Sequence, residues 1–158
     1  PFDPSNLFPL DDIQHGLKKR AKSITDNNSI KEKVNQLGKI YLSKGGTLCH
    51  GDFYPGSIMI TKRHGLRVID PEFSFPGPKE WDLAVFVAHL YLAQTHISLI
   101  QKSLDLFTGI DDLDESLFWG FVGTEIIRRL IGLAQLPLEL TLQEKEDLLQ
   151  QACLFILK

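Results

Sequence analysis

Two acidic clusters, His50-Gly51-Asp52 and Asp70-Pro71-Glu72, lie within twenty-three residues of each other, and each directly follows a short β-prone run. Carboxylates placed at neighbouring strand ends can do two jobs at once. One can sit beside an attacking hydroxyl, and the others can offer hard oxygen ligands to a cation such as Mg²⁺ on nucleotide phosphates, which is what phosphoryl transfer to an alcohol requires. A hydrolytic metal centre built on His50, Asp52 and Asp70 would need further His or Asp ligands, and His15, His64, His89 and His96 show no metal-ligand spacing. Arg128-Arg129 is a pair of guanidinium groups suited to bidentate phosphate binding. Glu125, three and four residues before them, also makes an ordinary surface ion pair with at least one of them an adequate explanation. Phe73, Phe75 and Trp81 either wall a pocket or pack their loop onto the core.

The elements that must position these residues follow from hydrophobic periodicity. Ile30, Val34, Leu37, Ile40 and Tyr41 recur at helical spacing over 29–44, and Gly45-Gly46 stops the pattern. Thr47-Leu48-Cys49, Ser57-Ile58-Met59-Ile60 and Leu66-Arg67-Val68-Ile69 are strand-like, the last two joined by a polar turn ending in Gly65, so a hairpin plus one companion strand is expected. Residues 71–78, with three prolines and a glycine, read as a shaped loop. Residues 81–92 are apolar on nearly all sides, as in a helix through the middle of a fold. Helical patterns follow over 97–107 and 113–136, the latter with Asp111-Asp112 as its cap and Pro137 as its end. Thr141 and Glu144 have the spacing of a capping box opening a last helix toward Leu157.

Composition bounds the rest. The chain has 158 residues, 43% hydrophobic and 23% charged, enough apolar content for one domain with a real core. Its net charge of −3, with Lys18-Lys19-Arg20 and Lys62-Arg63 as its only short basic runs, argues against a nucleic-acid footprint. No uninterrupted apolar run reaches membrane-spanning length. Cys49 and Cys153 are far apart and lack a Cys-x-x-Cys partner, which fits buried, inert thiols in a reducing, cytoplasmic setting. The chain opens on Pro1 rather than Met, pointing to a processed product, an excised domain or the interior of a longer protein. Three prolines in residues 1–9 suggest an extended lead-in or linker over 1–28 before a lobe over 29–158.

The segment from His50 to Met59 resembles the catalytic loop of the aminoglycoside phosphotransferase and choline kinase superfamily, H-G-D-x-x-x-x-N, and Val68 to Phe73 is similar to its metal-binding strand and loop, the counterpart of the protein-kinase D-F-G. Ser57 stands where Asn is usual. The methylthioribose kinase family carries serine there, and its D-P-E-F-x-F-x-G-P is matched by Asp70 to Pro78, with Asp82 following and a later helix similar to Glu125 to Ala134. Pro76 departs from that pattern, where tyrosine is expected.

This resemblance, over roughly Gly45 to Leu136, implies an α+β, predominantly helical fold: the large, carboxyl-terminal lobe of a protein-kinase-like architecture, with a small β-hairpin bearing the site. It implies Asp52 as the catalytic residue, orienting the substrate hydroxyl and taking its proton late. It implies Asp70, Glu72 and Ser57 as Mg²⁺ ligands, with a loop hydrogen bond as the close second role for Ser57. His50 would brace the loop against backbone near Asp70, and Asp82 would anchor it. Arg128 and Arg129 would contact a phosphorylated product or the phosphoryl group in transfer.

ATP is the implied co-substrate, and an alcohol-bearing small molecule, with 5-methylthioribose first, the implied acceptor. Nothing before Asp52 supplies a phosphate-covering hairpin or its strand lysine, so the amino-terminal nucleotide lobe is expected to be missing and the chain alone inactive. The competing expectation is a truncated or pseudoenzyme lobe used for binding, in which an apolar face uncovered by the missing lobe favours partner binding or homo-oligomers.

Overall fold

The computed structural model describes residues 9–43, 45–107 and 112–158. The expected lead-in over 1–28 is largely helical where it is described: α1 spans Leu10–Ile13 and α2 spans Leu17–Thr25. Residues 1–8 of it lie outside the described residues. Leu17, Ala21 and Ile24 recur at i, i+4 and i+7, so one face of α2 is apolar, and all three are buried against the lobe. The basic run Lys18-Lys19-Arg20 occupies the opposite, exposed face.

Helix α3 spans Asn28–Leu42, and the Asn27 side chain caps it by accepting the Ile30 N–H. Strand β1 (Thr47–Cys49) pairs antiparallel with β4 (Phe75–Gly77), Thr47 opposite Gly77 and Cys49 opposite Phe75. The expected loop over 71–78 therefore contains a strand, preceded by a 3₁₀ turn at Pro71–Phe73, and β1 is the companion of that strand rather than of the hairpin. A two-stranded ribbon leaves one side of each strand without a ladder, so Pro76 is tolerated in it. The expected hairpin is β2 (Ile58–Thr61) with β3 (Gly65–Val68), Ile58 opposite Val68. The hairpin is nested in sequence between β1 and β4, so each acidic loop connects one ribbon to the other.

The core is helical. Helix α4 (Trp81–Leu92) buries Ala84, Val85, Val87, Ala88 and Leu92, as expected of a central helix, and packs against α6 (Glu115–Ile131). Helix α7 (Leu142–Ile156) covers the other side of α6, and α5 (Ile97–Asp105) flanks α4. The expected start of α6 moves: Asp111 lies outside the described residues, and the cap is Asp114, which accepts the Leu117 N–H at 2.9 Å. Its end moves as well, since α6 stops at Ile131 before Gly132 rather than at Pro137. The capping box of α7 forms as expected, with Glu144 accepting the Thr141 N–H at 2.7 Å. The architecture is the predominantly helical α+β arrangement expected from the sequence. Among the described residues, no helix is long and apolar enough to cross a membrane.

Candidate active site

Strand β1 ends at Cys49, and the chain turns through Gly51, whose φ of 92° lies in the left-handed region open to glycine. The turn is pinned from α4. Asp82 accepts the His50 N–H at 2.6 Å and the Gly51 N–H at 3.0 Å, and Trp81 Nε1 donates to the Gly51 carbonyl at 3.1 Å. The central helix thus holds the loop that carries Asp52.

The loop is tied to the second acidic cluster as well. His50 Nε2 lies 2.8 Å from the Ile69 carbonyl oxygen, one residue before Asp70. Ile69 N–H donates to the Ser57 carbonyl at 2.9 Å, and the buried Ser57 hydroxyl donates to the Asp52 carbonyl at 2.8 Å. Ser57, expected as a metal ligand, here braces the turn that carries Asp52, the other role open to it.

Asp70 adopts φ 59° and ψ 52°, a left-handed conformation uncommon for a non-glycine residue, and begins the 3₁₀ turn that contains Glu72. Both carboxylates are exposed, and among the described residues neither has a hydrogen-bond or ion-pair partner. No three His, Cys, Asp or Glu side chains converge there among the described residues. Two free carboxylates without a complete protein cage suit a cation of the Mg²⁺ type, which keeps waters and takes its remaining ligands from substrate phosphates. The donor set fits that ion.

Opposite Asp52 stand the arginines of α6. Arg129 Nη2 donates to Asp52 Oδ1 at 2.5 Å, while Arg128 Nη2 is 3.9 Å from the same oxygen. Asp52 Oδ2 has no protein partner among the described residues. The structure corrects the surface pair expected for Glu125: this carboxylate is fully buried and accepts from Arg128 Nε (2.6 Å), Arg128 Nη2 (2.9 Å) and Arg129 Nε (2.6 Å). Burial by itself raises its pKa, but His89 and the two guanidinium groups outweigh that and hold it down at about 2. Hydrogen bonding to Glu125 likewise outweighs desolvation at Arg128 and raises that group.

Asp52 and the arginines face a cleft of about 490 Å³ walled by Val34, Leu37 and Tyr41 of α3, Phe73, Trp81, and Phe121 and Thr124 of α6. Of the three suspected loop aromatics, Phe73 and Trp81 line this cleft, and Phe75 packs on Tyr41 with ring centroids 4.9 Å apart. Asp52, Arg128 and Arg129 are therefore brought together, and Asp70 and Glu72 sit on the adjoining loop.

Sequence reasoning missed the contribution of α3 to the wall and the burial of Glu125. A signal for the second existed. Phe118, Phe121, Val122 and Ile126 form the buried stripe of α6, and Glu125 falls within it. Cys49 is 1% exposed, and burial, with Asp82 adding to it, pushes its thiol up to about 11, as suits an inert core cysteine.

A model of the phosphotransferase enzyme family matches residues 13–109, a stretch that begins within the amino-terminal helices and runs through both acidic loops. Methylthioribose kinases are among the similar proteins. That of Bacillus pumilus (strain SAFR-032) is 29% identical over 165 residues, covering 84% of this chain and 41% of the relative. That of Exiguobacterium sibiricum is 30% identical over 164 residues (84% and 42%), and that of Bacillus velezensis 31% over 152 residues (78% and 38%). The chain thus spans less than half the length of these relatives. The family match covers more than half of the chain, and both acidic loops, with the ties of the first to Asp82, fall within it: the chain belongs to the phosphotransferase enzyme family.

Proposed function

We propose that this chain is the catalytic lobe of an ATP- and Mg²⁺-dependent small-molecule kinase acting in the cytoplasm on an alcohol group, with 5-methylthioribose or a sugar of similar shape as acceptor. The observation that carries the proposal is Asp52 lining the cleft with its Oδ1 held by Arg129 and its Oδ2 without a protein partner among the described residues. A substrate hydroxyl donating to Oδ2 is oriented for in-line attack; its oxygen bonds to the γ-phosphorus of ATP as the bond from that phosphorus to the bridging oxygen breaks and ADP leaves, and the hydroxyl proton passes to Oδ2. Asp70 and Glu72 hold the cation, which supplies charge neutralisation on the nucleotide phosphates. Tyr41, Trp81 and Phe121 offer apolar area to the part of the acceptor that does not react, and the similarity to methylthioribose kinases supports a thioether sugar there.

Phosphate clamping from above comes from a nucleotide-binding lobe outside this chain. The alternative, a lobe kept only for binding, draws on the exposed apolar side chains Ile60, Leu66 and Val68, which share one face of the hairpin.

The deciding experiment measures phosphoryl transfer from Mg-ATP to 5-methylthioribose by the full-length protein. Asp52→Asn is expected to lower kcat by about 10²–10⁴-fold, the range of a positioned general base. Asp70→Ala is expected to abolish magnesium-dependent ATP binding. Wild-type protein that binds neither ATP nor acceptor, or tight zinc binding without nucleotide, would sink the kinase in favour of the alternatives.

A further inference from the structure

Glu125 is fully buried at the centre of α6, yet it accepts three hydrogen bonds from two successive arginines. Two cations and two carboxylates, Glu125 and Asp52, make a locally neutral cluster, but the cations are not equivalent. Arg129 is 11% exposed and is clamped at both ends, Nε on Glu125 and Nη2 on Asp52. Arg128 is 37% exposed and lies side-on to Glu125 through Nε and Nη2. Neither arginine has a protein partner at Nη1 among the described residues and both border the cleft, but Arg128 is the more exposed and its Nη2 stays 3.9 Å from Asp52. His89 of α4 backs the carboxylate, with Nε2 3.5 Å from Glu125 Oε1.

A helix presents residues three and four apart on one side, so Glu125 reaches both arginines at once. An isolated helix pair of this kind leaves its cations free to rotate. Burial removes that freedom here, because the carboxylate cannot move toward water and each guanidinium keeps one edge on it.

We propose that Glu125 is a positioning residue that divides labour between the arginines: it commits Arg129 to orienting Asp52 and leaves Arg128 turned to the cleft to hold the new phosphate of the product. The proposal rests on the kinase function above and adds to it a residue that touches no substrate. It predicts different kinetic signatures for adjacent residues of identical chemistry. A purely structural ion pair would give neither signature.

The test uses the full-length protein with Glu125→Gln, Arg128→Lys and Arg129→Lys. Each lysine keeps a charge but loses the fork that bridges two partners. Arg129→Lys is expected to lower kcat at least tenfold with the product inhibition constant within threefold of wild type. Arg128→Lys is expected to raise that inhibition constant at least tenfold, measured with the phosphorylated product isolated from the reaction. Glu125→Gln is expected to change both. Identical signatures for the two lysine variants, or a Glu125→Gln protein that changes neither parameter, overturn the proposal; should Glu125→Gln fail to fold, the two lysine variants decide it.

A second measurement separates this claim from the kinase function. With ¹⁵N-arginine labelling, the Nε–H resonances assigned to Arg128 and Arg129 are expected to be exchange-protected in the wild type, both losing protection in Glu125→Gln and both keeping it in Asp52→Asn. If no phosphoryl transfer occurs at all, the proposed function fails, and these resonances alone decide whether Glu125 positions the pair. Continued protection in Glu125→Gln overturns the positioning role.

Discussion

Asp82 accepts two successive backbone N–H groups of the turn that carries Asp52, and such charge-assisted bonds are short and strong. Asp82→Ala leaves both donors without an acceptor in a half-buried place, a cost of about 1–3 kcal/mol for each. The expected outcome is a lower urea midpoint, with hydrogen exchange at His50 and Gly51 accelerated more than in α6. Equal acceleration everywhere would mean that Asp82 contributes only to global stability. Glu125 sets a pH dependence. Its carboxyl, ordinarily at 4.5, is held at about 2 in the fold, so its ionisation stabilises the native state above the ordinary value and that contribution fades as pH falls toward 2. The stability difference between wild type and Glu125→Gln should therefore be constant above about pH 5.5 and shrink between about pH 4.5 and 2, by the same linkage. Urea titrations across that range measure it, and a gap that widens on acidification contradicts the ion-paired carboxylate. Asp52 and Asp70 were legible as candidates because their motifs are local. The burial of Glu125 was signalled only by its place in the apolar stripe of α6, which the helices packed against it turn into a buried one.

At the scale of elements, α2 is the sharpest departure from expectation. The prolines before it suggested an extended lead-in, and the basic run on its outer face obscured the short stripe of Leu17, Ala21 and Ile24. Three apolar residues in nine make a weak pattern; α3 and α7 turn it into a buried one. The Arg20–Glu146 pair at 2.6 Å joins α2 to α7, but it is partly exposed and its contribution is small, about 0–1 kcal/mol. Packing does more. Leu17→Ala is expected to destabilise the protein by about 2–5 kcal/mol, and Arg20→Ala by under about 1 kcal/mol, in chemical denaturation. Similar losses for the two would show that α2 is held by its surface charge. The pairing of β1 with β4 was hidden for a related reason: Pro76 and Gly77 carry no strand propensity, and only the turn through Asp70 and Pro71 brings them beside Thr47 to Cys49.

For the molecule as a whole, Cys49 is a reporter of cooperativity. Its thiol is buried under the β1–β4 ribbon and donates to the Pro78 carbonyl at 3.3 Å, and burial holds it at about 11. Near pH 8 it should react with iodoacetamide only through opening of the ribbon or of the whole lobe, whereas the half-buried Cys153 reacts sooner. A denaturant dependence of Cys49 labelling matching the global unfolding slope means that the Asp52 loop and the helical core open together. A much shallower slope means that the ribbon opens alone.

The sequence by itself determined the chemistry that the site offers and most of the elements that carry it. The carboxylates of His50 to Asp52 and Asp70 to Glu72, the hairpin between them, the central helix at Trp81 and the capping box at Thr141 are set by residue types a few positions apart. Only the tertiary structure decided which groups meet. It joined His50 to Ile69 and Asp82 to the turn that carries Asp52, and it turned an apparent surface pair at Glu125 into a buried strut under two arginines. It also opened the cleft between α3 and α6, whose walls lie some eighty residues apart in the chain. Spacing along a chain fixes the face on which a side chain stands, but the helices packed against that face decide whether water reaches it, and with that the strength of every charge in the site.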